Sequence, residues 1–336
     1  MDQVILAKEN GNDVSDMRTA YCEAMVELAE KDSRIVAVDA DLMSAMGMKP
    51  FAKQFPERTV DCGIQEANMI GVACGLSVWG KIPFAHTFGP FCTRRACDQI
   101  FMSGAYNKAN VKVVGSDPGI TAAYNGGTHM PFEDMGIMRG IPTMTVVEPT
   151  DIVMLKNLMP QIADTYGMFY MRLVRKGVRK VYEPGSTFTI GKAVHLREGK
   201  DVTIIASGYC VAEAISAAKI LQEQGTRAEY VHLETAGRAG CHRGSGGNRR
   251  DRYGREPQRD QRSWFCGERG AGKAQPGSGR NGRRTGRVRR GRSGRLSARA
   301  LRTDGREHHC GSAPRSSAQT LICRNVPNLY CNTLLF

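Results

Sequence analysis

The first 180 or so residues predict an α/β fold, a doubly wound and mostly parallel sheet with helices on both faces. Short apolar runs rich in β-branched residues alternate with stretches whose apolar residues recur at helical spacing. The runs are apolar throughout rather than alternating, as strands covered on both faces are. The pattern stops near residue 235, where Arg and Gly take over.

In order, MRTAYCEAMVELAEKD (17–32) reads as a helix and leads into RIVAVDADL (34–42), a buried strand that ends in acids. RTVDCGI (58–64) precedes a helix from about Gln65 to Val78, and KIPFAHTF (81–88) one from about Cys92 to Asn107. VKVVGSD (111–117), a long loop, TMTVVEP (143–149), a helix from Asp151 and MFYMRLV (168–174) complete the set. After Lys180 a turn-rich connector leads to DVTIIASG (201–208), a helix from Val211 to Gln224 and AEYVHLE (228–234). Such a strand–helix–strand unit cannot cover its own sheet, so its remainder is expected beyond residue 235. The expected division is a main α/β domain at 1–185, the incomplete start of a second at 186–235, and an Arg/Gly-rich, disordered tail at 236–336.

Charge divides in the same way. Residues 236–336 hold 22 arginines, one lysine and six acids, a net of +17, which leaves the first 235 residues near −3 of the chain's +14. No apolar run approaches the roughly 20 residues of a membrane span, and no leader-like start is present, so a cytoplasmic location and no membrane partner are expected. The 11 cysteines form neither a CxxC pair nor a cluster at metal-ligand spacing, which favours buried thiols over zinc or disulfides.

Loops at the carboxyl ends of parallel strands are where such sheets bind ligands, and three of them hold unusual residues. DCGIQEANMIGVACGLS (61–77) puts Glu66 in the first turn of a helix, where an acid commonly just complements the helix dipole. HTFGPFCTRR (86–95) spaces Phe88, Phe91 and Arg94 three apart, a pattern that usually means core packing. SDPGITAAYNGGTHMPFED (116–134) is a long loop with Gly126 and Gly127 ahead of His129. Each is weak alone; together, in this order, they are specific.

From about Met17 to Leu233 the chain resembles the pyrimidine-binding domain of transketolases and their thiamine-diphosphate relatives, most closely the C-terminal section of split transketolases. The resemblance implies transfer of a two-carbon ketol unit between sugar phosphates. It matches Glu66 to the glutamate that hydrogen-bonds the cofactor's aminopyrimidine, where a buried carboxyl sharing a proton favours the imino tautomer. Phe88, Phe91 and Arg94 then belong with the groups that hold the ring, and Asp41 lines the cofactor cleft. Glu66 and His129 are the implied catalytic residues, His129 facing the substrate's hydroxyls. Asp117 and Asn125 are expected beside it at the substrate, and Arg175 is matched to the arginine that receives the sugar phosphate, where a planar fork suits the dianion.

Two positions depart from the family: Asn125 stands where an aspartate is common, and Asp117 where a histidine is. The sugars are therefore left open. No GDG…N pattern for Mg2+ and the diphosphate occurs, which implies that thiamine diphosphate is completed, and its Mg2+ held, by an N-terminal-section partner, in a heterotetramer with shared active sites. The alternatives are a 1-deoxyxylulose-5-phosphate synthase-like enzyme, made less apt by the separate section and the YNGGTHMPFED loop, and an inactive paralogue.

The tail has two readings. As an RNA-binding Arg/Gly segment it lacks interleaved aromatics: only Tyr253, Trp264 and Phe265 lie near its Arg-rich part, so no specific nucleic acid is expected. As a shifted reading frame it is more telling. Gly247–Gly254 read one base later permits ETGAIVT, and the same shift through Gly267 permits ETGAIVTAENHNVISGLGSAV, similar to the opening of the family's third domain. A single-base slip near Leu233–Thr235 is the favoured reading.

Overall fold

A computed structural model of the chain describes residues 3–8 and 11–233. The expectations for the tail, its disorder and its shifted frame, lie outside the described residues.

Six parallel strands form the main sheet in the order β3-β2-β4-β5-β7-β6. They are β2 (Ile35–Asp39), β3 (Thr59–Asp61), β4 (Ile82–Phe88), β5 (Lys112–Ser116), β6 (Thr145–Val147) and β7 (Phe169–Leu173). Every residue of β2, β4, β5 and β7 is buried, as the unbroken apolar runs require. One face is covered by α1 (Met17–Lys31), α2 (Lys49–Gln54) and α6 (Ile152–Asp164), through Tyr21, Met25, Phe51, Leu155 and Leu158. The other is covered by α3 (Glu66–Val78), α5 (Asp134–Gly140) and the helical segment after β4, through Met69, Ile70, Ile100 and Met138. Helices α1 and α6 start where Asp16 and Asp151 accept a hydrogen bond from the backbone N–H three residues on, ordinary N-caps.

The helix expected from Cys92 to Asn107 is not a regular one. Wide π-type turns at Phe91–Arg95 and Ile100–Tyr106 flank a single α-turn, α4 (Cys97–Gln99). A π-turn adds a residue per turn and shifts which side chains share a face. Periodicity tuned to 3.6 residues cannot anticipate this.

A short ribbon, β1 (Asn12–Asp16) antiparallel to β8 (Gly177–Arg179), joins the two ends of the domain in addition to the expected elements. The last unit has β10 (Val202–Ala206) parallel to β11 (Ala228–Leu233), with β9 (Ala193–Arg197) antiparallel on the other side of β11. Helix α7 (Cys210–Glu223) packs on this small sheet through Ala218 and Ala214. Thr203 and Ile205 on β10 remain exposed.

Candidate functional site

Strand order reverses about β2: the chain passes from β2 to β3 on one side and then to β4 on the other. The crevice beyond the carboxyl ends of β2 and β4 is the place where open α/β sheets receive ligands. Asp41 follows β2, Glu66 follows β3, Phe88 ends β4, the loop 117–133 follows β5 and Arg175 follows β7. All the residues singled out in the sequence therefore gather at one edge.

Phe88, Phe91 and His129 form a triangle of rings. Their centroids lie 5.7 Å (Phe88–Phe91), 5.2 Å (Phe88–His129) and 5.0 Å (Phe91–His129) apart, each pair edge to face, the arrangement the ring quadrupoles favour. Gly89 makes the close approach possible: a Cβ there would stand 2.9 Å from Pro131 Cγ and 3.0 Å from the Ser116 carbonyl oxygen. His129 Nδ1 is 2.9 Å from Thr128 Oγ1.

Glu66 opens α3 and is 1% exposed. Both its carboxylate oxygens accept from Nη1 of Arg95, at 2.8 and 2.7 Å, and the same guanidinium lies 4.4 Å from the centre of the Phe91 ring. Arg94, by contrast, turns outward: it pairs with Glu133 and donates to the Met130 carbonyl at 3.1 Å. The spacing of three in HTFGPFCTRR points to Arg94 as a group beside the rings. The π-turn instead brings Arg95, four after Phe91, over that ring.

Arg175 Nε is 3.0 Å from Asp117 Oδ2, and its guanidinium lies 4.8 Å from the Phe88 centroid. Asp117 is fully buried in a left-handed conformation (φ 62°), and its Oδ1 has no hydrogen-bond partner. Burial pushes its carboxyl up, against the opposing pull of Arg175. Asn125 is exposed in a single 3-10 turn, its backbone N–H bonded to the Ala122 carbonyl. Asp41, also left-handed (φ 60°), is exposed, and its N–H donates to Asp61 Oδ1 at 3.0 Å.

The first arginine of MRLVR has another job. Arg172 is buried between Asp134 (Nε to Oδ2, 2.9 Å; Nη2 to Oδ1, 3.0 Å) and Glu148 (Nη1 to Oε1, 3.1 Å). Tyr170 adds a hydrogen bond to Asp134 Oδ2 at 2.8 Å. The His129 loop is thus clasped at both ends by β7 and its extension, Asp117 by Arg175 and Asp134 by Arg172.

Asp39 and His86, register partners on β2 and β4, are not among the residues singled out in the sequence. Both are fully buried; His86 Nε2 stands 3.0 Å from Asp39 Oδ2 without the alignment of a hydrogen bond. The signal available was polar residues inside otherwise apolar strands.

Residues 13–180 match the family model described as transketolase, pyrimidine binding domain, and residues 191–237 that of transketolase, C-terminal domain. The chain is 53% identical over 219 residues to the 6-deoxy-6-sulfo-D-fructose transketolase subunit of a Clostridium species, covering 65% of this chain and 68% of that one. It is 44% identical to a putative transketolase C-terminal section of Methanocaldococcus jannaschii, covering 65% of this chain and 70% of the other. Among solved structures it is similar to a split gene transketolase described as an inactive beta4 tetramer, at 41% identity and a TM-score of 0.59, covering 65% of this chain and 71% of that chain. With buried strands, crevice and ring triangle as described, and a pyrimidine-binding domain spanning half its length, the chain belongs to the transketolase family.

Proposed function

We propose that this chain is the C-terminal section of a split transketolase that moves a two-carbon ketol unit between sugar phosphates, with its active site shared with an N-terminal section in a heterotetramer. The observation that carries the reading is Glu66, a buried carboxyl at a helix start that Arg95 links to Phe91, one of three packed rings. A buried carboxyl and an aromatic ring face are what an aminopyrimidine ring needs, so these residues fit the pyrimidine end of thiamine diphosphate. Among the described residues no group of three or more His, Cys, Asp or Glu is gathered for a metal. Mg2+ and the diphosphate are assigned to the partner in this proposal.

When bound, the cofactor supplies the nucleophilic carbon that carries the ketol unit. Glu66 holds a proton at the ring nitrogen. Phe88 and Phe91 orient the ring and keep water from it, Asp41 borders the cleft, and His129 turns its imidazole to the substrate hydroxyls. Arg175, steadied by Asp117, meets the anionic end of the sugar, with Asn125 at the rim. One relative is named for 6-deoxy-6-sulfo-D-fructose and another, 34% identical, for apulose 4-phosphate, both sugars that carry an anionic group. They support an anion site without choosing the sugar.

The domain division at 185 and 235 is part of the same proposal, as is the frame slip; the C-terminal-domain match ending at residue 237 supports it. Among the described residues no helix is long and apolar enough to cross a membrane. The test is co-expression with an N-terminal section, comparing this chain with a frame-restored one in a ketol-transfer assay. Activity that depends on Glu66 supports the reading, and inactivity of both chains overturns it.

A further inference from the structure

Arg95 touches the two groups that an incoming pyrimidine needs. Its planar guanidinium bonds edge-on to both oxygens of Glu66 and lies over the face of Phe91. Guanidinium and aminopyrimidine share this habit of hydrogen bonding at the edge and stacking on the face. With Arg95 seated, Glu66 is 1% exposed and closed to a second donor. The Arg95 side chain itself is 48% exposed and on the solvent side of the pair. An open cleft of about 710 Å³ lies alongside, lined by Arg95 together with Asp98, a carboxylate that can receive the displaced charge.

We infer that Arg95 is an internal stand-in for the pyrimidine: it holds Glu66 and Phe91 in place and must swing out before the ring can enter. This rests on the proposed cofactor site. It makes Arg95 a positioning residue whose departure sets part of the cofactor's affinity. The pair it breaks consists of charge-assisted hydrogen bonds, but one partner is half exposed, which limits its strength.

The test measures thiamine diphosphate binding by calorimetry to the full chain assembled with its N-terminal section. Arg95→Ala is expected to bind the cofactor roughly tenfold more tightly, about 1.4 kcal/mol. Arg95→Lys, which keeps the charge and loses the planar fork, falls between it and the parent. Added methylguanidinium weakens binding to Arg95→Ala by refilling the seat and leaves the parent unaffected; a merely structural arginine gives no such competition. Equal or weaker binding by Arg95→Ala, without competition, overturns the inference. Glu66→Ala separates the two layers: if it binds the cofactor like the parent, the site itself is wrong. If it binds poorly while Arg95→Ala gains nothing, only the stand-in role falls.

Discussion

Replacing Asp134 with alanine removes one end of the clasp on the His129 loop. Asp134 is fully buried and accepts three hydrogen bonds, from Arg172 Nε at 2.9 Å, Arg172 Nη2 at 3.0 Å and Tyr170 Oη at 2.8 Å. Its loss leaves Arg172 with Glu148 as its remaining carboxylate and takes a buried acceptor from Tyr170. Breaking one side of a buried ion pair costs about 3–5 kcal/mol, and an orphaned hydroxyl adds about 1–3 kcal/mol. Relief by Glu148 and by water entering the space left behind reduces the total, so a loss of about 3–5 kcal/mol is expected. With a urea slope near 3 kcal/mol/M this moves the unfolding midpoint down by roughly 1–1.7 M. Urea denaturation of the full chain followed by circular dichroism measures it, and hydrogen exchange over residues 117–133 should accelerate with it. A midpoint shift below about 0.3 M, or unchanged exchange in that loop, would refute the clasp.

Gly89→Ala forces a Cβ to within 2.9 Å of Pro131 and 3.0 Å of the Ser116 carbonyl, so thermal unfolding should show a loss of about 1–3 kcal/mol. Lys112 is fully buried against the Asn110, Thr165 and Gly167 oxygens, and burial pulls its ammonium from 10.5 down to about 7. Between pH 7 and 10.5 the unfolded chain therefore holds more protons at this site than the folded one. The parent should gain stability relative to Lys112→Met as pH rises through that window, and a flat difference in urea titrations would count against it. Arg175→Ala should raise KM for the phosphorylated sugar by about tenfold or more in the assembled enzyme, with a much smaller change in kcat.

Much of the fold was legible because buried parallel strands leave unbroken apolar runs, as in IVAVD and KVVGS. The site was legible as three loops, since strand ends fix where a motif falls even when each motif is weak. What escaped depended on conformations that periodicity does not encode. The π-turn at Phe91–Arg95 puts Arg95, rather than the Arg94 that a spacing of three points to, over the Phe91 ring and against Glu66. The β1–β8 ribbon pairs segments some 160 residues apart through short, mostly polar strands, which carry no apolar signature. Arg172 and Arg175 look alike in MRLVR, but Arg172 lies within the fully buried β7 and forms the clasp, whereas Arg175 lies just past its end, at the crevice.

The role of Glu66 is the centre of the account, and the isosteric change Glu66→Gln reaches it most directly. In the chain assembled with an N-terminal section, ketol transfer should fall by about 10²–10⁴-fold, the range for loss of a positioned proton-transfer group. Thiamine diphosphate binding should weaken far less, because Phe88, Phe91 and the partner's contacts persist. Ketol transfer by Glu66→Gln at the parent rate would contradict the account.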